Sequence, residues 1–199
     1  LGLMIGSFFL SRERQVVTIQ TLCATGTLIL YAITFAAHAY YGFFSSTLSF
    51  ALMAMVTVSA FYLAVRLNAQ VVAVLGLLGG FLTPPLLSTG VDNPVGLFGY
   101  IALLDIGLLA VALRQRWHYL TLFAATATML MQLAWVGKFY APSKINIAMT
   151  IFLGFTALFV AAPGAANRNQ RQSHFLSAGA LLMPFSALLF AFYLLARPH

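Results

Sequence analysis

The sequence is short of charge. Only 7% of its 199 residues are Asp, Glu, Lys or Arg, and just three are acidic. Soluble domains typically carry about 25% charged residues, whereas 62% of this chain is hydrophobic. A single water-soluble core of this length is too small to hide so much apolar surface, so the composition indicates an integral membrane protein.

Residue types that carry catalysis are also scarce. A single cysteine, Cys23, excludes an internal disulfide and a thiolate metal cage. The four histidines are dispersed, with neither an i, i+4 pair nor an HExxH pattern, and no nucleophile elbow, P-loop or dinucleotide fingerprint is present. We therefore expect no metal, no cofactor and no enzymatic activity.

The net charge of +7 comes from basic residues scattered in ones and twos between apolar runs. They form no stripe or cluster, which argues against a nucleic-acid partner. Short loops bearing Lys or Arg are typical topology signals instead.

Long apolar runs are what the sequence does contain. Each is close to the ~20 residues that a helix needs to cross a bilayer, and none alternates as a membrane β-strand does. Seven full segments follow a partial one, Leu1–Leu10, which we interpret as the end of a helix in a longer chain. The segments are Ile19–Tyr41, Leu48–Val65, Val71–Leu87, Val95–Leu113, Trp117–Val136, Ile145–Ala162 and Phe175–Ala196. The predicted fold is an all-α polytopic bundle forming one transmembrane domain over residues 1–199.

The loops predict an orientation. If every segment crosses, one side holds seven basic residues and the other only three, Lys138, Lys144 and Arg197. If Val71–Leu87 dips in and returns instead, the division is six to four. The positive-inside rule favours the first topology and a cytoplasmic location for the seven. They are Arg12, Arg14, Arg66, Arg114, Arg116, Arg168 and Arg171.

The third segment carries a motif that interrupts helices, "GLLGGFLTPPLLSTGVDNP". Gly79 and Gly80 allow close helix approach, and Pro84 and Pro85 predict a kink or an end near Leu82 or Thr83. The carbonyl groups of Gly80 and Phe81 then need other donors, for which the nearest hydroxyls are Thr83, Ser88 and Thr89. Asp92 or Asn93 is expected to cap the next helix, with Pro94 in its first turn.

Three stretches resemble a known family. They are "VVAVLGLLGGFLTPPLLSTG" (Val71–Gly90), "LFGYIALLDIGLLAVAL" (Leu97–Leu113) and "LYAITFAAHAYYGFF" (Leu30–Phe44). Together they resemble the bacterial DUF2339 family of predicted multi-pass membrane proteins. The resemblance implies a bacterial inner-membrane location, a longer parent chain and no established activity. It also implies Asn where this chain has Asp105, which argues against an essential ionised carboxylate.

Asp105 is the one acidic residue inside a predicted span. An Asp at a helix centre costs about 2.5–3.5 kcal/mol on insertion scales, so it should face protein or water. Two interpretations stay open: a proton or cation site, or a neutral side chain that hydrogen-bonds a neighbouring helix. Asp92 lies thirteen residues away, about 20 Å along a helix, which excludes an acid–base pair.

Polar side chains follow one face of two predicted helices. The first stripe comprises Thr27, Tyr31, Thr34 and His38, and the second comprises Thr121, Ala125, Thr128 and Gln132. We expect both to face the bundle interior, as interhelical hydrogen bonds or as a substrate path, and the second to supply any partner that Asp105 needs.

Three functions remain open. A transporter-like or small-molecule- or lipid-handling protein fits the interrupted helix beside an intramembrane carboxylate. A structural or assembly subunit fits the scarcity of ionisable groups. An enzyme acting on lipid-linked substrates has only Asp92 and Asn93 to use and ranks last. The expected partners are membrane lipids, other membrane subunits or the remainder of a longer chain.

Overall fold

The computed structural model describes residues 12–87, 90, 92–165 and 174–196. This part of the chain contains seven α-helices and no β-strand, which confirms the predicted all-α class. The helices are α1 Arg12–Ala39, α2 Ser46–Leu67, α3 Gln70–Leu86, α4 Pro94–Gln115, α5 Tyr119–Phe139, α6 Ile145–Ala165 and α7 His174–Ala196. Each matches one of the predicted full segments. The predicted partial helix Leu1–Leu10 lies outside the described residues.

Local sequence signals set several helix ends. Ser45 caps α2, since its hydroxyl accepts from the Leu48 amide, and Asn68 ends that helix in the left-handed region with φ 50°. The carbonyl oxygen of the Asn93 side chain accepts from the Gly96 amide at 3.0 Å, with Pro94 at the first position of α4. The predicted cap by Asn93 and the predicted place of Pro94 are confirmed.

The helices group into two compact units, within Leu1–Thr89 and within Gly90–His199. The first contains α1, α2 and α3, which all contact one another. Gln20 Nε2 on α1 donates to the Leu67 carbonyl at the end of α2 at 3.0 Å. At the opposite end, the Ser46 hydroxyl donates to the Leu87 carbonyl at 3.3 Å. These bonds show that α1 and α3 both run antiparallel to α2.

The bond between Ser46 and Leu87 bears on the topology of α3. It joins the first residue of α2 to the residue that follows α3, so the chain returns along the length of α2. A segment that dips in and comes back out beside Leu67 does not fit this contact. If α2 crosses a membrane, α3 crosses it as well, although its 17 residues make it the shortest of the seven α-helices described.

The two prolines do not end α3 where the sequence suggested. The helix continues through Pro84 and Pro85 to Leu86, so an end near Leu82 or Thr83 is wrong, and the alternative, a kink there, stays a prediction. Proline removes a backbone donor and disturbs the preceding turn, but it leaves the following amides able to bond. The Leu87 amide still donates to the Thr83 carbonyl at 3.1 Å. The helix ends about one turn after Leu82 or Thr83, close to the end of the predicted apolar segment Val71–Leu87.

The second unit contains α4 to α7. Helix α5 contacts both α4 and α7, and α6 contacts both α4 and α7. Aromatic rings fill part of the interior: Phe98 on α4 packs edge-on against Trp135 and Phe155, and Phe152 stacks on Phe190. Helices α5 and α7 approach closely where a Cβ placed on Gly179 would lie 3.1 Å from Cγ2 of Thr121.

The outward surface of the helices is apolar. Large hydrophobic side chains such as Leu103, Leu130, Leu181 and Leu188 are more than 60% exposed. Six of the described helices are long and apolar enough to cross a membrane; α3 is the exception. Lipid is the solvent that makes such a surface stable, because exposed leucine costs nothing in hydrocarbon.

Candidate functional site

Asp105 lies at the centre of the second unit. Its side chain is 0% exposed on α4, and its Oδ2 accepts a hydrogen bond from the Thr128 hydroxyl on α5 at 2.7 Å. Its Oδ1 has no hydrogen-bond partner among the described residues. The predicted contact between Asp105 and the second polar stripe is therefore confirmed through Thr128, and the carboxyl group is only half satisfied.

Gln132, one turn further along α5, pairs with α7 rather than with Asp105. The Ser186 hydroxyl lies 3.0 Å from Gln132 Oε1 and 2.8 Å from the Met183 carbonyl oxygen. A hydroxyl has one hydrogen to donate, so it serves one of these acceptors. With the amide turned over, Nε2 would donate to Ser186 and leave Oε1 unpaired. Either orientation leaves one atom of the fully buried amide without a partner among the described residues.

Thr128 and Gln132 belong to a line of mostly polar side chains along one face of α5, which we call the α5 stripe. On an ideal helix its members fall within about 100° of arc and span about 26 Å, close to the thickness of a hydrocarbon core. Two further members have buried atoms without a partner in the described part of the chain, namely His118 Nδ1 and Thr121 Oγ1. The α5 stripe comprises His118, Thr121, Ala125, Thr128, Gln132 and Trp135.

One end of the α5 stripe meets a polar cluster that the sequence analysis missed. Asp92 Oδ1 accepts from Trp135 Nε1 at 2.8 Å, and its Oδ2 pairs with Lys144 Nζ at 2.5 Å. Lys144 also donates to the Phe139 carbonyl at 3.3 Å. The predicted topology could have indicated this pair, because Asp92 is the one acidic residue in the loops on the side of the membrane where Lys144 lies.

We expect Asp92→Ala to lower the free energy of unfolding by about 1–3 kcal/mol, because it leaves the indole N–H of Trp135, which is 3% exposed, without an acceptor. Asp92→Asn keeps an oxygen for Trp135 and removes only the charge opposite a partly exposed Lys144. Its cost should stay below about 1 kcal/mol. Unfolding in detergent, followed by circular dichroism, measures both. Equal losses for the two variants would show that the ion pair, and not the indole bond, dominates.

The first predicted stripe lies in the other unit and behaves differently. Tyr31 joins helices: its hydroxyl lies 2.6 Å from Thr57 Oγ1 on α2 and 3.4 Å from the Gly76 carbonyl on α3. Thr34 bonds the Leu30 carbonyl of its own helix, and Thr27 bonds that of Cys23. His38 Nδ1 lies 2.9 Å from the Phe44 carbonyl in the following turn. Of this stripe, only Tyr31 is shown to bond to another helix.

The glycine motif of α3 serves the contact with Tyr31. A Cβ placed on Gly79 would clash with Cζ and Cε2 of the Tyr31 ring, and one placed on Gly76 would lie 3.0 Å from Cβ of Ala60. Gly80 is buried on the same helix. The Thr83 hydroxyl donates to the Gly79 carbonyl at 2.7 Å, one residue before the carbonyls for which it was predicted. Ser88 and Thr89 lie outside the described residues.

The predicted polar set is thus divided. Asp105 and Gln132 belong to the second unit, and Tyr31, Thr34 and His38 belong to the first. The sequence did not indicate that Ser186 pairs with Gln132. It also did not indicate that Asp92 pairs with Trp135 and Lys144. That no residue of the chain binds a metal or acts as a catalyst stays a prediction.

A bundle of apolar helices with a polar interior line defines a polytopic α-helical membrane protein. The sequence model described as "Predicted membrane protein (DUF2339)" matches residues 1–198. The chain therefore belongs to the DUF2339 family, as the resemblance suggested. No curated protein and no solved structure matches the chain.

Proposed function

We propose that this protein is transporter-like: it binds a small polar solute and passes it through the interior of the α4–α7 unit. One observation carries the proposal, namely that the fully buried Asp105 has one carboxyl oxygen without a partner among the described residues. A residue that serves only to hold two helices together gains nothing from an unsatisfied oxygen, which is costly in hydrocarbon. Ionisable residues inside membranes are rare, and they commonly mark substrate and ion pathways.

The proposal includes a location and an orientation. We place the protein in the bacterial inner membrane, with its arginine-rich loops on the cytoplasmic side. The antiparallel course of α3 along α2 supports the topology in which every segment crosses, and that topology gives the seven-to-three division of basic residues. Not being an enzyme is part of the proposal.

We expect Asp105→Asn to abolish solute movement, because it removes the ionisable group inside the membrane. The protein should still fold, because asparagine has nearly the same volume and can still accept the bond from Thr128. Uptake and efflux of labelled polar solutes would be compared between cells that express the protein and cells that do not. Thr126→Val is the control, since the Thr126 hydroxyl lies on the exposed face of α5 and bonds only to the Leu122 carbonyl of its own helix. Unchanged uptake and efflux of every solute in the Asp105→Asn variant would contradict the proposal.

A structural or assembly role is the second candidate, favoured by the exposure of α1. Only 6% of its most apolar 18-residue window is buried, against 22–44% in the other five long helices. Such a helix has room for another membrane subunit or for the remainder of a longer chain, as well as for lipid. Purification in mild detergent distinguishes the two candidates: a stoichiometric partner favours assembly, and a homogeneous monomer counts against it.

A further inference from the structure

We propose that the species bound at Asp105 is a proton and that the α5 stripe conducts protons across the membrane. The inference rests on the part of the proposed function that gives the Asp105 carboxyl group a role in transport, and it names the ion that this group binds. It is drawn from four polar side chains, one on α4 and three on the α5 stripe, that each have a buried atom without a described partner. They are His118, Thr121, Asp105 and Gln132.

The chemistry of these groups suits a proton better than a larger ion. The described part of the chain contains one ion pair, Asp92–Lys144, and it does not involve Asp105. A metal cation needs several oxygen ligands at about 2.0–2.6 Å, and no three His, Cys, Asp or Glu side chains of the described residues come together to provide them. A proton needs only one oxygen that can form and break an O–H bond, and Oδ1 of Asp105 is such an atom.

The spacing of the α5 stripe places the polar groups at intervals that water can bridge. Thr121 and Thr128 are about 10 Å apart along the helix axis, and the small, fully buried Ala124 and Ala125 lie between them. Neighbouring oxygen atoms in a hydrogen-bonded chain of water molecules lie about 2.8 Å apart. Buried water that satisfies polar groups is a regular component of proteins. Two or three water molecules would connect the Thr121 hydroxyl to Asp105.

Each end of the α5 stripe has a group that can exchange a proton with its surroundings. At one end lies His118, half-buried just before α5, and its imidazole can accept a proton at one nitrogen while it donates from the other. At the other end lies Asp92, whose carboxylate is 15% exposed beside the 33% exposed Lys144. Gln132 and the indole of Trp135 orient neighbours by hydrogen bonds and carry no proton themselves.

One transfer balances as follows. A proton that arrives through Thr121 forms an O–H bond at Oδ1 of Asp105, and the neutral carboxyl group keeps its hydrogen bond from Thr128. The O–H bond then breaks toward water held beside Gln132, and the electron pair stays on the carboxylate. The next proton restores the neutral group. One positive charge crosses per proton, so a membrane potential drives the flux.

Proton flux into liposomes tests the inference. Purified protein would be reconstituted with a pH-sensitive dye inside, and an interior-negative potential would be set with potassium and valinomycin. We expect wild-type liposomes to acidify faster than protein-free liposomes without added solute. Asp105→Asn should fall to the protein-free rate, and Thr121→Val should be slower by about tenfold or more, the factor expected when a hydrogen-bonded step is lost.

Two controls separate conduction from folding. Thr126→Val makes the same change on the exposed face of α5, where the hydroxyl bonds only to the Leu122 carbonyl of its own helix, and should leave the flux unchanged. Thr121→Ser keeps the hydroxyl and should restore most of the flux. Wild-type flux equal to that of protein-free liposomes, or full flux in Asp105→Asn, would overturn the inference. Solute uptake without proton flux would overturn the inference of proton conduction and leave the proposed function standing. Proton flux without uptake of any polar solute would support proton conduction and contradict the proposed solute transport.

Discussion

Gly79→Ala is expected to destabilise the α1–α3 unit by about 1–3 kcal/mol, the usual cost of overpacking a closely fitted interior. The added methyl group would occupy the space of the Tyr31 ring. That ring cannot move aside without cost, because its hydroxyl is held 2.6 Å from Thr57. The better helix propensity of alanine offsets at most about 1 kcal/mol of the loss. Unfolding in detergent, followed by circular dichroism, measures the change.

The chain offers a matched control for this prediction. A Cβ added to Gly26 on α1 would have no atom within 4 Å, so Gly26→Ala should leave stability unchanged or raise it slightly. Gly79→Ala should cost less in a Tyr31→Ala background than in the wild type, since the ring that clashes is gone. If Gly79→Ala were as harmless as Gly26→Ala, the close packing of α1 on α3 would be refuted.

The second large effect is expected from Thr128→Val, which removes the described hydrogen bond to Asp105. Leaving a buried polar group without its partner costs about 1–3 kcal/mol, whereas valine preserves the shape of threonine. Thr128→Ser keeps the hydroxyl and should recover most of the stability. Thr126→Val, on the exposed face of the same helix, should cost little.

A double-substitution cycle gives the sharpest form of this test. Replacing both partners of a buried hydrogen bond with apolar groups is often nearly neutral. Asp105→Leu together with Thr128→Val should therefore lose less stability than the two single variants added together, by an interaction energy of about 0.5–3 kcal/mol. Simple additivity of the two single losses would mean that the hydroxyl does not act through Asp105.

Together these two predictions separate packing from chemistry. Gly79 is needed for shape, so its substitution should impair folding. Asp105 is expected to cost stability, since an apolar pair in its place should be tolerated. If the apolar pair is tolerated, the protein keeps Asp105 for a reason other than stability, and for this reason the solute and proton experiments address Asp105 and not Gly79.

Much of the architecture could be predicted from the sequence. The seven apolar segments match seven helices, and Asn93 and Pro94 begin α4 as expected. Such features are local: helix length follows from bilayer thickness, and a cap depends on the few residues around it. An end of α3 at its prolines, one of the two predicted outcomes, is wrong because a proline that removes one donor does not compel the following turn to unwind.

The pairing of polar groups was only partly predictable. The stripe on α5 was correctly expected to meet Asp105, yet Thr128 supplies the bond and Gln132 turns to Ser186, which lies 54 residues away in the chain. The ion pair between Asp92 and Lys144 joins residues 52 apart. Separations of this size depend on which helices become neighbours.

The sequence by itself determined that this is a multi-pass membrane protein, the number and position of the described helices, several of their caps and the family. Only the tertiary structure decided which face of each helix turns inward and which buried polar atoms find partners. The physical reason lies in the solvent. In water, an apolar stripe marks the buried face of a helix, but in a membrane both lipid and protein interior are apolar, so the hydrophobic pattern does not reveal the neighbour.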